Sequence, residues 1–203
     1  MSNLERPSKP STEATLEYFR STARHYDAAC AADARLMDIP FYLELAKSIN
    51  GNVLEVGCGT GRILLPTARA GIQIDGIDFS PEFLAILREK LSDEAPEVTA
   101  KISLYEEDMR SFSIGKTYDL ITIPFGPLQH LFSVDDQLAA FRCCNNHLKA
   151  DGRIAFNLFF PNHRLLDELG VEEPAITWTD PLDQAVTVRR TFVRTSVDRL
   201  NQC

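Results

Sequence analysis

The chain has 203 residues, a formal net charge of -8, 44% hydrophobic residues and 25% charged residues, which suits one soluble globular domain with a sizeable core. The acidic balance speaks against a general nucleic-acid binder, which needs a basic face for phosphates. No apolar run approaches the roughly 18–20 residues of a membrane span.

The start, MSNLERPSKPSTEA, is polar and lacks the apolar centre of a secretory signal. Residues 1–11 read as a disordered lead. The cysteines at 30, 58, 143, 144 and 203 are odd in number, and two are adjacent. They read as reduced thiols of a cytoplasmic protein, and no Cys/His spacing suggests a metal site.

From Thr12 to about Ala32 the pattern is helical, with Leu16, Phe19 and Ala23 on one face. A second helix is predicted from Asp38 as N-cap, with Pro40 in its first turn and Gly51 stopping it. Then the rhythm changes. Asn52 to Val56 is a buried strand, Ile63 to Ala70 a helix, and Gln73 to Asp78 a strand. Ser80 caps a helix with Pro81 first and Phe83, Leu84, Leu87 and Leu91 inward. Lys101 to Tyr105 and the very apolar Tyr118 to Pro124 are strands. Ser133 caps a helix carrying Val134, Leu138, Phe141 and Leu148, closed by Gly152, and Arg153 to Phe160 is the fifth strand. Alternating strands and helices imply parallel crossovers and a sheet covered on both faces. After Pro161 a short helix at 162–169 is expected, then a β-hairpin from AITWTD and QAVTVRRTFVRTSV.

The stretch VLEVGCGTGR, Val53 to Arg62, places Gly57, Gly59 and Gly61 between a strand and a helix, with Glu55 just before them. Glycines let a ligand approach the backbone, and a helix N-terminus offers free N–H groups. The spacing is G-x-G-x-G. It is neither the dinucleotide fingerprint, whose third glycine would fall where Arg62 stands, nor the phosphate loop. A carboxylate at Glu55 repels a pyrophosphate and suits a cationic ligand, such as a nucleoside bearing a sulfonium and an ammonium.

This motif resembles the first signature of class I S-adenosylmethionine-dependent methyltransferases, and the resemblance spans roughly Tyr18 to Pro161. It implies an α/β fold: a doubly wound, mostly parallel Rossmann-like sheet with an N-terminal helical lid. It implies S-adenosyl-L-methionine as cofactor, held along Glu55, Gly57, Cys58, Gly59, Gly61 and Arg62. The family's ribose-binding acid falls on Asp78 in IDGIDFSPEFL, followed by Phe79. A carboxylate suits a ribose because it accepts two charge-assisted hydroxyl bonds. The adenine acid falls on Asp108 in YEEDMRSF, with Met109 offering a backbone N–H and an apolar wall. Tyr26 in the lid would contact the methionine tail or belong to the core. Phe125 leaves the fourth strand beneath the sulfonium and acceptor. His130 is the candidate catalytic group, a base or orienting donor, or else a histidine capping a turn. Asn157 and Phe159 read as core or rim.

The resemblance divides the chain into a lead at 1–11, a cofactor-binding domain at 12–161 and an antiparallel insert at 162–203. The family's two closing strands are missing from that arrangement. The exposed strand at 184–197 offers an edge for a homodimer. The acidic charge and aromatic loops favour a small-molecule acceptor with a nitrogen or oxygen nucleophile. IPFG stands where amino-methylating enzymes carry an N/D-P-P-Y tetrad, which weighs against protein or nucleic-acid substrates. A non-catalytic or truncated cofactor-binding relative is the alternative.

Overall fold

A computed structural model describes residues 12–33, 37–159, 170, 172 and 175–191. Two helices lead, α1 (Thr12–Ala32) and α2 (Ile39–Ile49). Strands and helices then alternate as β1 (Val53–Val56), α3 (Leu64–Arg69), β2 (Ile74–Asp78), α4 (Pro81–Ser92), the one-turn α5 (Pro96–Thr99) and β3 (Ile102–Glu106). The series continues with β4 (Tyr118–Ile123), a 3-10 turn at Pro127–His130, α6 (Val134–Asn146) and β5 (Leu148–Phe156). β6 (Ile176–Thr179) and β7 (Thr187–Arg190) pair antiparallel in a separate ladder.

The main sheet runs β3-β2-β1-β4-β5, and every pairing in it is parallel. Strand order reverses between β1 and β4. Their carboxyl ends therefore send loops to opposite faces and open a crevice, the place where such sheets bind ligands. β1 and β2 are buried at every position, as strands covered on both faces must be. One face packs Leu54, Val56, Ile121 and Ile123 with Cys143 and Cys144 of α6. The other packs Val53, Ile74 and Leu120 with Leu64, Leu84 and Leu87. Each such aliphatic side chain contributes about 1.5–3 kcal/mol by leaving water. The buried cysteines are free thiols. No described helix is long and apolar enough to cross a membrane.

Local chemistry sets the helix ends. Ser80 caps α4 by accepting the Phe83 N–H at 3.3 Å, and Ser133 caps α6 by accepting that of Asp136 at 3.1 Å. Three expectations need correction. Asp38 stands at the N-cap of α2 but makes no cap bond, because Arg62 takes its carboxylate. Asn50, at φ 50°, ends α2 in the left-handed conformation, while Gly51 gives room to Asp119. The last helix stops before Leu148, which opens β5 opposite Tyr118. The His147 Nδ1 lies 2.8 Å from the Cys143 carbonyl and helps end α6 there. Val134 and Leu138 are exposed, and α6 buries Ala140, Cys143 and Cys144 instead.

The late hairpin exists and docks on α1. Trp178 packs against His25 at 5.9 Å, and the Arg24 guanidinium reaches Asp180 at 3.3 Å. The lead at 1–11, the expected helix at 162–169 and the chain beyond 191 lie outside the described residues.

Candidate functional site

The bend after β1 is tied to β2. The N–H groups of Gly57 and Cys58 both donate to the Ile77 carbonyl, at 2.8 and 3.0 Å. Gly57, Gly59 and Gly61 all have positive φ. Two of these glycines have different reasons to lack a side chain. A Cβ on Gly61 would lie 2.5 Å from Leu87, so close packing excludes it. A Cβ on Gly59 would meet only Phe83, at 3.8 Å, so the space before it is open to a ligand.

Asp78 ends β2 beside this opening. Its Oδ2 accepts the Gly59 N–H at 2.8 Å and its Oδ1 accepts the Ser80 N–H at 2.9 Å. Burial pushes the carboxyl up to about 6, and backbone N–H bonds work against that rise. Each oxygen keeps a lone pair for a further donor. Glu55 lies deeper, 2% exposed, and its Oε2 has no hydrogen-bond partner. Burial raises its carboxyl well above the ordinary range, while Arg62 pulls it down. A buried acceptor without a donor is costly unless a ligand completes it. An ammonium group has the required charge and donors. Among the described residues no group of acidic, histidine and cysteine side chains could hold a metal ion.

Two clamps hold the leading helices against the loop. On α1, Asp27 accepts the Thr60 hydroxyl at 2.6 Å and pairs with Lys90 at 2.6 Å, while Lys90 also donates to the Thr60 carbonyl at 2.9 Å. At the start of α2, Asp38 takes Arg62 through both oxygens, at 2.6 and 2.8 Å. Such a fork fixes orientation as well as charge. Arg62 also lies 5.0 Å from the Phe125 ring centroid. Tyr26 packs on Phe83 at 5.0 Å, and desolvation drives its hydroxyl well above the ordinary value. Sequence reasoning missed Asp27, Lys90 and the Asp38 clamp, because nothing local couples residues so far apart.

Phe19 of α1 bridges the crevice. Its ring meets Phe79 after β2 at 5.7 Å, Phe83 at 5.2 Å and His130 after β4 at 5.2 Å. His130 keeps an open face, yet desolvation on its packed side holds the imidazole below its ordinary value. α1 thus lies across the carboxyl ends of β2 and β4. Open depressions of about 620 and 340 Å³ lie at the other end, the smaller lined by Asn52, Gln73, Asp75 and Tyr118.

After β3, Asp108 is engaged. Both of its oxygens receive Arg110, and Oδ1 also accepts the Arg110 N–H at 2.8 Å. Burial pushes this carboxyl up, but Arg110 outweighs that and holds it below the ordinary value. Arg110 reaches on to Asp136 at 3.2 Å. Met109, partly buried, packs against the core cluster that includes Phe112. The structure therefore gathers Glu55, Gly57, Cys58, Gly59, Gly61, Arg62, Asp78, Phe79 and Tyr26 around one bend. Phe125 and His130 flank it from β4. Asp108 lies in the turn just beyond β3.

The profile of the methyltransferase-domain family matches residues 53–152. The chain is 28% identical over 118 residues to the putative methyltransferase YqeM of Bacillus subtilis, spanning 58% of this chain and 46% of that protein. It is 31% identical over 101 residues to a dTDP-3-amino-3,6-dideoxy-alpha-D-glucopyranose N,N-dimethyltransferase of Streptomyces fradiae, covering 50% of this chain and 36% of that one. It thus spans less than half the length of these curated relatives. In fold it matches DesVI of Streptomyces venezuelae, with a TM-score of 0.62 and 20% identity over 93% of this chain and 72% of DesVI. It also matches CalS10, an amino pentose methyltransferase from Micromonospora echinaspora, with a TM-score of 0.59 and 24% identity over 98% and 73% of the two chains. The matched segment holds the glycine bend, Asp78 and Asp108 in family order, and residues 53–152 form a methyltransferase domain like that of the class I S-adenosylmethionine-dependent enzymes.

Proposed function

We propose that this chain transfers the methyl group of S-adenosylmethionine to a small molecule bearing a nitrogen or oxygen nucleophile. The observation that carries the reading is the pair of acids beside the open face of Gly59. Asp78 holds two backbone donors and keeps lone pairs for a ribose diol, and Glu55 is a buried acceptor awaiting a cationic donor. A dinucleotide pyrophosphate needs hydrogen-bond donors and positive charge, which that pair of acids does not supply.

In this reading Glu55 and Arg62 face the ammonium and carboxylate ends of the methionine part. Gly57, Cys58, Gly59 and Gly61 shape the bend around it, and Tyr26 closes it from α1. Phe79 and Met109 flank the adenine, and Asp108 faces its amino group from a carboxylate already shared with Arg110. The bound cofactor supplies an electrophilic methyl on a good sulfur leaving group, so the protein's work is alignment and exclusion of water. α1, with Phe19 spanning Phe79 and His130, does the excluding. His130, neutral at pH 7 given its lowered value, accepts the proton that the acceptor loses.

Relatives named for amino-sugar N,N-dimethylation and for ubiquinone-pathway O-methylation support a small acceptor. The test is incubation of the protein with methyl-labelled S-adenosylmethionine and a metabolite pool, followed by mass spectrometry. A labelled small molecule is the expected result. Tight binding of S-adenosylhomocysteine with no labelled product in repeated pools overturns the enzymatic reading in favour of a binding module.

A further inference from the structure

The segment after β4 adopts a shape that its residues do not favour. Phe125 has φ 65°, a region that a residue with a Cβ avoids. Its N–H donates to the Asn157 Oδ1 at 2.7 Å. The same oxygen accepts the Tyr42 hydroxyl at 2.7 Å. A backbone N–H can only donate, so it identifies the carboxamide oxygen and settles which way the amide faces. Tyr42 is 1% exposed, and its hydroxyl needs a partner in that setting. A second carboxamide keeps the two segments side by side: Gln129 accepts the Phe159 N–H at 2.7 Å and donates to the Phe159 carbonyl at 3.0 Å.

These contacts form a closed circuit. Asp38 begins α2 and forks onto Arg62. The Arg62 guanidinium lies over the Phe125 ring. Phe125 hangs from Asn157, and Asn157 returns to Tyr42, whose own N–H donates to the Asp38 carbonyl at 3.2 Å. Both ends of the circuit lie on the first turns of α2. We infer that Asn157 is a positioning residue: one oxygen with two donors holds Phe125 in its left-handed conformation and sets its ring at Arg62, beside the glycine bend. Without that oxygen the Phe125 backbone relaxes, the ring leaves Arg62, and the wall of the crevice changes shape while the sheet stays whole. The effect on ligand rests on reading that crevice as the S-adenosylmethionine site; the effect on Phe125 does not.

Fluorophenylalanine labelling tests both parts. The chain has twelve phenylalanines, and the Phe125 fluorine signal is assigned by its loss in Phe125→Leu. Asn157→Ala is expected to shift and broaden that signal, leave most others unmoved, and weaken S-adenosylhomocysteine binding at least tenfold by calorimetry. Asn157→Asp keeps the accepting oxygen and is expected to restore the signal and bring affinity within threefold of the parent. Tyr42→Phe removes one donor only and is expected to move the Phe125 signal partway, which covers the case of an Asn157→Ala protein that does not fold. An unmoved Phe125 signal in both Asn157→Ala and Tyr42→Phe, or Asn157→Asp behaving as Asn157→Ala, overturns the inference. If the parent protein binds no S-adenosylhomocysteine, the proposed function fails, and the fluorine signals still decide the role of Asn157.

Discussion

The Asp78 Oδ2 accepts the Gly59 N–H at 2.8 Å, so the acid that ends β2 props up the bend that leaves β1. In the proposed function the same carboxylate also meets the ribose of the ligand. Asp78→Ala should weaken S-adenosylhomocysteine binding roughly 10- to 100-fold, the worth of about 1.5–3 kcal/mol for a hydrogen bond to a charged group. Calorimetric titration measures it. Unchanged affinity would remove Asp78 from the site.

The same carboxyl should make binding depend on pH. Its folded value is raised to about 6 from an ordinary 3.8. The sign follows: its contribution to stability is full below the ordinary value and is lost as pH rises through about 6. Hydroxyl donors favour the charged form, so affinity for S-adenosylhomocysteine should tighten as pH rises from 5 to 7. Asp78→Asn should flatten that rise. Glu55→Gln should weaken binding and reduce the protons released on binding, since the parent Glu55 is also raised and must ionise to meet an ammonium.

Two glycines two residues apart should fail differently. Gly61→Ala forces a methyl against Leu87 and Leu65 and should lower the urea midpoint, with a stability loss of about 1–3 kcal/mol for an overpacked core site. Gly59→Ala meets open space and should cost only the backbone strain of about 1–2 kcal/mol, yet lose ligand affinity. Equal affinities for the two variants would refute the open-face assignment.

The clamp between Asp38 and Arg62 should need arginine. Lysine cannot make the two-point contact, so Arg62→Lys should raise hydrogen exchange in α2 nearly as much as Arg62→Ala. The Arg62 hydrogen bonds hold the Asp38 carboxyl below its ordinary value despite partial burial. That stabilisation is present above the ordinary carboxylate range and is lost as pH falls through the depressed value. Exchange in α2 should therefore rise on acidification in the parent and change little in Arg62→Ala.

His130→Ala should lower turnover at least tenfold once an acceptor is known. The acidic limb of the parent pH–rate profile should lie below the ordinary histidine value, because desolvation lowers the imidazole. A variant with the parent's profile would make His130 a structural neighbour of Phe19.

Much of the architecture was legible in local pattern. β1 to β5, the Ser80 and Ser133 caps and the hairpin at Ile176–Arg190 follow from period, turn chemistry and capping. Errors fell where a tertiary partner outbids a local one. Asp38 reads as a helix cap until Arg62, far along the chain, claims both of its oxygens. Leu148 continues a helical stripe until pairing with Tyr118 draws it into β5.

The sequence by itself determined the alternating order, the glycine bend and the acids at the strand ends, because each depends on residues within a turn of one another. Only the tertiary structure decided that Phe19 spans the crevice, that Asp27 and Asp38 fasten the leading helices, and that Asn157 governs Phe125. Those contacts join positions brought together by strand order. A left-handed Phe125 or a buried Glu55 without a donor is a property of the surroundings, which no stretch of chain carries alone.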